Sequence, residues 1–194
     1  MHSIDASVVI DAPVALCYQT WMDFEKFPTF MTRVVSVSRT DATGMLSTQT
    51  RPIRHAEDPQ KDVEGVVVTE LTREVEAHGN NVWHWEIKGP LGQLFKWTGG
   101  IVMNEPNKAI SWATLPEDQL PNTGTVNFLK SPTSTATHER TLITVTMSFS
   151  APGGAVGEFL ADIVHYGDNL LSEALDDFKR HVETLRTEEL LEKR

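Results

Sequence analysis

Between Gly153 and about Arg186, apolar side chains recur at Val156, Phe159, Leu160, Ile163, Val164, Leu170, Leu171, Leu175, Phe178, Val182 and Leu185. Steps of three and four residues gather them into one stripe along a helix, with Asp162, Glu173, Asp177, Arg180 and Glu183 mostly off it. A helix of roughly 30 residues would be about 45 Å long at about 1.5 Å per residue, longer than most helices in compact domains. So long an apolar face needs a large partner, and the residues upstream must supply it. Tyr166-Gly167-Asp168-Asn169 falls in the middle of the stripe. A mid-helix glycine costs about 1 kcal/mol relative to alanine, so a kink or short break is expected there, with Asp168 placed to cap the second half.

The upstream chain reads as strands. Ile4 to Asp11 alternates, with Val8 and Ile10 on one face and Ser7 and Val9 on the other. Pro13 then suits the first turn of a helix carrying Val14, Cys17, Tyr18, Trp21 and Met22. A second short helix over Phe24 to Phe30 is expected to be broken by Pro28. Trp21, Phe24, Phe27 and Phe30 are dense enough to pack a core or to roof a cavity. Arg33 to Thr40 predicts a strand with Val35 and Val37 on one face.

From Val82 onward the alternation is regular. Trp83, Trp85 and Ile87 oppose His84, Glu86 and Lys88; beyond a turn at Gly89–Gly92, Phe95, Trp97, Gly99, Ile101 and Met103 repeat it. A turn at Pro106-Asn107 leads to Ile110, Trp112 and Thr114, then Val126 and Phe128, then Ile143, Val145, Met147 and Phe149. This is a meander of antiparallel strands with one apolar face, and a twisted sheet of that kind curls around a long helix. The expected class is α+β: about seven strands, two short helices after the first, and the long C-terminal helix in the concavity. A single domain over residues 1–194 follows from the length. Residues 42–79, polar at first and with a candidate strand at Val66–Thr69, read as an insertion, and 187–194 as a polar tail.

Seventeen basic against twenty-seven acidic residues give a net charge of -10, which speaks against nucleic acid as a partner. No apolar run approaches the roughly 20 residues needed to span a bilayer, so stable membrane insertion is not expected. Met1-His2-Ser3-Ile4-Asp5 shows no signal-peptide pattern, and a cytoplasmic location is the expectation. Cys17, the one cysteine, permits neither an internal disulfide nor a multi-cysteine metal site.

Particular segments carry a resemblance. Val9-Ile10-Asp11-Ala12-Pro13, Trp21-Met22-Asp23-Phe24-Glu25-Lys26-Phe27-Pro28 and Trp85-Glu86-Ile87-Lys88-Gly89-Pro90-Leu91-Gly92 are among them. Asn104-Glu105-Pro106-Asn107, Ile110-Ser111-Trp112, Ala151-Pro152-Gly153-Gly154 and the closing Phe178-Lys179 with Val182-Glu183 complete the set. Together they resemble the START-like (SRPBCC) superfamily, specifically its polyketide cyclase/dehydrase and coenzyme Q-binding branch, over about residues 4–186. The resemblance implies a helix-grip (START/Bet v 1-like) fold with an apolar cavity between sheet and helix. The superfamily hosts carriers, cyclases, hydrolases and regulators alike, so it does not fix the function.

No nucleophile elbow, paired-histidine zinc motif, phosphate loop or dinucleotide fingerprint is present, so no cofactor or metal is expected. His84 and Glu86 share a strand face opposite the tryptophans and should look outward, His138 lies in a polar loop, and His55, Glu57 and Asp58 lie in the insertion. His165 on the long helix and Tyr18 are the candidates for proton transfer, should the chain be an enzyme.

The apolar faces define a candidate ligand site instead. It comprises Trp83, Trp85, Ile87, Phe95, Trp97, Ile101, Met103, Trp112, Val126, Phe128, Val145 and Met147 from the strands, and Phe159, Ile163, His165 and Leu170 from the helix. Rigid aromatic walls with adaptable methionines suit an apolar small molecule. Three readings follow: a carrier of an apolar or lipid-like molecule, a polyketide cyclase/dehydratase-type enzyme, and a regulatory module docking a protein partner through 42–79.

Overall fold

The structure is a computed structural model that describes residues 2–39, 82–89, 92–114, 118, 121–149 and 156–192, giving for 156–168 the course of the helix alone. Residues 42–79, with Val66–Thr69, His55, Glu57 and Asp58, lie outside the described residues.

Strand β1 (His2–Ile10) buries Ile4, Ala6 and Ile10 while Asp5, Ser7 and Val9 face water. Helix α1 (Val14–Met22) follows, with Pro13 as its N-cap, and buries Cys17 and Trp21. Burial pushes the Cys17 thiol up to about 11, partly offset by a hydrogen bond with Thr141, so it is an inert core residue. A 3-10 helix (Phe24–Thr29) comes next and buries Phe24 and Phe27. Pro28 lies inside this segment instead of breaking it, and the tight turn ends one residue later.

The chain then reaches β2 (Val34–Arg39) and runs through β3 (Val82–Lys88), β4 (Leu94–Glu105), β5 (Ala109–Thr114), β6 (Asn122–Lys130) and β7 (Thr141–Phe149). All pairings are antiparallel in one sheet of order β1-β7-β6-β5-β4-β3-β2. The first strand thus pairs with the last, and α1 with the 3-10 helix carries the chain between the two edges, β1 and β2. Two register shifts change which side chains point inward. One, between Val34 and Ser36, separates Val35 from Val37, so Val35 is exposed and only Val37 is buried. The second lies between Ile101 and Met103. An extra residue at a bulge reverses the alternation beyond it.

Helix α2 (Val156–Glu192) is 37 residues long, and its end takes in residues 187–192 of the segment read as a polar tail. It passes Gly167 without the expected break. The roughly 1 kcal/mol cost of that glycine is small against the burial of Leu175, Phe178 and Val182, each at most 1 % exposed. The helix also serves both sheet edges. Toward β1, Lys179 Nζ donates to the Val9 carbonyl at 2.7 Å, and the Asp11 N–H donates to Glu183 at 2.9 Å. Toward β2, the Thr32 N–H donates to Asp177 at 2.8 Å and Arg33 Nε to Glu173 at 2.7 Å. Asp177 is almost fully buried and is also paired with Arg180. A curled sheet leaves two strand edges to be covered, and one long helix bonded to both completes the grip.

Candidate functional site: an aromatic cavity between sheet and helix

Near the C-terminal half of α2 the sheet and helix interlock. Phe178 is fully buried against Trp21 at 4.9 Å between ring centroids, with Phe30 and Phe27 at 6.2 and 6.5 Å. Toward the middle of the helix the packing opens into a cavity of about 240 Å³.

The β3–β4 pair supplies Trp83, Trp85, Ile87, Phe95, Trp97 and Ile101, and β5 supplies Ile110 and Trp112. Val145, Met147 and Phe149 of β7, with Ile4 of β1, continue the concave floor. Trp21, Phe24, Phe27 and Met31 cover it, and Leu170, Leu171 and Ala174 form the helix side. Trp85 and Trp97 are cross-strand partners with rings 6.4 Å apart and 16° from parallel. Phe24 meets Trp83 and Trp85 edge-on at 5.0 and 5.6 Å, and Phe27 meets Trp85 at 5.8 Å. Such interlocked rings hold their orientation with few rotamers to lose, so the wall stands ready before a ligand arrives.

Trp112 is set by a different device. Its cross-strand partner is Gly124, and a Cβ there would come within 2.1 Å of the indole ring. The indole N–H donates to Asn122 Oδ1 at 3.0 Å, so the one polar atom of the ring is satisfied by β6. Gly124→Ala is therefore expected to dislodge Trp112, weakening ligand binding by several-fold and stability by about 1–3 kcal/mol. Ligand titration and thermal melts of the variant check this; unchanged values for both would show that the ring is not held by the glycine.

Among the described residues the lining is mostly carbon, with Arg33, Lys88 and the Gly89 backbone as its polar part. Arg33 is one-third exposed; its Nε pairs with Glu173, and its Nη1 donates to the Gly89 carbonyl at 3.4 Å. Among the described residues the lining contains no His, Asp, Glu, Tyr or Cys.

Of the residues proposed from sequence, Trp83, Trp85, Ile87, Phe95, Trp97, Ile101, Trp112, Val145, Met147 and Leu170 border the cavity. Val126 and Phe128 do not: both are buried in the close-packed part, Phe128 edge-on to Tyr18 and Trp21. Met103 is 38 % exposed, turned outward by the bulge before it. The side chains of Phe159, Ile163 and His165 lie outside the described residues. Tyr18 does not line the cavity; its hydroxyl donates to Asn104 Oδ1 at 2.7 Å. His84 is exposed beside Thr98, and Glu86 pairs with Lys96. The lining also takes in residues outside the ligand set proposed from sequence, among them Trp21, Phe24, Phe27, Met31, Ile110 and Arg33. The first three belong to the dense aromatic set, Trp21 to Phe30, whose alternative reading was the roof of a cavity.

Residues 10–169 match the model of the family described as polyketide cyclase / dehydrase and lipid transport. The chain belongs to this family. The polyketide cyclase/dehydrase and lipid transport fold is shared by solved structures at low identity. A protein from Thermus thermophilus is 15% identical with a TM-score of 0.63, over 95% of this chain and 99% of that one. The Zhui aromatase/cyclase from a Streptomyces species is 13% identical with a TM-score of 0.60, over 94% and 93%. A START superfamily protein from Mycobacterium smegmatis is 12% identical with a TM-score of 0.58, over 95% and 99%. At such identities the likeness shows the START-like, helix-grip fold alone. No curated protein sequence matches significantly. Among the described residues no helix is long and apolar enough to cross a membrane.

Proposed function

We propose that this chain binds an apolar small molecule, of lipid-like or aromatic character, between its sheet and α2. One observation carries the reading: the described lining of a cavity of about 240 Å³ is almost wholly apolar, and all five tryptophans of the chain border it. An apolar cavity of about 150 Å³ accommodates a benzene ring, so the space here suits a bicyclic aromatic or a short alkyl chain. Its size lies just under the roughly 300–1,000 Å³ typical of ligand pockets, which favours a compact ligand. The family description, which includes lipid transport, agrees with this role.

The cyclase/dehydratase reading has less support. General acid–base chemistry needs a titratable group within reach of the substrate. The described lining offers only Arg33 and Lys88, and Tyr18 is turned elsewhere.

Because the tryptophans surround the cavity, their emission reports on it directly. Titration with naphthalene, 2-naphthoate and octanoate is expected to give a saturable change with at least one of them. A flat response to all three, together with no small molecule released from the purified protein on mass spectrometry, would overturn the proposal.

A further inference from the structure

Resting on the binding reading above, we infer that the ligand carries one anionic oxygen group, which Arg33 receives at the polar end of the cavity. The inference begins with the arginine's unused capacity. A guanidinium has five N–H donors in a planar fork. Two are engaged, one with Glu173 and one with the Gly89 carbonyl, so three are left without a partner among the described residues. The side chain is held from two sides, by α2 and by the turn between β3 and β4. Its position is therefore fixed relative to the apolar wall.

Local charge points the same way. Lys88, the second cation on the lining, has no carboxylate partner among the described residues. Glu173 offsets one positive charge there, and the neighbouring Asp177 is paired with Arg180. Among the described residues the rim thus keeps an excess positive charge, within a chain whose net charge is -10. An anion whose apolar body fills the cavity would meet the free edge of the Arg33 fork, where charge-assisted hydrogen bonds are strongest. A neutral hydrocarbon of the same shape would leave that capacity unused. Carboxylate and phosphate monoester share this chemistry.

The test compares probes of one shape: naphthalene, 2-naphthoate and 2-naphthyl phosphate, by calorimetry and tryptophan emission at low salt. Wild-type protein is expected to bind an anionic probe at least tenfold more tightly than naphthalene, and the tighter anion identifies the head group. In Arg33→Gln, with folding checked by circular dichroism, the ratio of anion to naphthalene affinity should fall toward unity. Lys88→Gln should lose part of it. Equal affinity of wild type for charged and uncharged probes would overturn the inference and leave the cavity reading intact. So would a preference that survives Arg33→Gln. Binding of none of the three, together with a flat response to octanoate and no small molecule released on mass spectrometry, would overturn both.

Discussion

Phe178→Ala is expected to lower the unfolding free energy by about 3–5 kcal/mol, the largest effect expected of any single truncation among the described side chains of α2. Phe178 is fully buried, and its ring contacts Trp21, Phe27 and Phe30, which come from α1, the 3-10 helix and the residue just after it. Truncation removes the transfer free energy of an aromatic ring. It also leaves a void, because the three surrounding rings brace one another and cannot collapse into it; Trp21 and Phe27 meet edge-on at 5.8 Å, and Phe27 and Phe30 lie 5.5 Å apart. Against a typical domain stability of about 5–15 kcal/mol, this is a third or more of the whole. Urea titration monitored by far-UV circular dichroism measures it. Leu190→Ala, at a position 48 % exposed on the same helix, should cost under about 1 kcal/mol. If the two variants lose similar stability, the C-terminal half of α2 is not the anchoring element.

The same ring cluster explains why the fold was more legible in the sequence than the site was. Period-two runs from Trp83 to Phe149 and the stripe from Leu170 to Leu185 each encode a face, and faces suffice to specify a sheet curled on a helix. A cavity is a local failure of packing, which depends on where several elements meet. Val126 and Phe128 share the inward face with Val145 and Met147, yet Phe128 is filled in by Tyr18 and Trp21 from α1, while Met147 meets empty space. Nothing in the pattern of β6 distinguishes the two outcomes. Val35 and Met103 were misplaced for another reason. Each lies at a register shift, and one extra residue in a strand reverses every later side chain without leaving a signature in composition. Gly167 shows the opposite case, in which a visible local signal for a break was overruled, the continuous helix being anchored farther along by the burial of Leu175, Phe178 and Val182. Arg33 was missed because it lies at a corner, where periodicity carries no information about direction. It borders the cavity only because Glu173 and the Gly89 carbonyl hold it there.

Ala174→Phe is expected to raise the dissociation constant for a bicyclic ligand by more than tenfold while leaving the fold in place. Ala174 borders the cavity from the helix side, between Leu170 and the buried Phe178 one turn to either side of it. An apolar cavity of about 150 Å³ accommodates a benzene ring, so a phenyl group placed in the roughly 240 Å³ here would leave too little space for a bicyclic ligand. The added ring enters an existing void instead of displacing packed atoms. The melting temperature should accordingly stay within a few degrees of wild type or rise, in contrast to Phe178→Ala. Ala174→Ser, which adds a single oxygen, should leave the affinity within about threefold. Calorimetric titration of naphthalene with thermal melts of both variants separates occlusion from unfolding, because only occlusion removes binding from a protein that still melts cooperatively near the wild-type temperature. Undiminished affinity in Ala174→Phe would place the ligand somewhere other than between the tryptophan wall and α2.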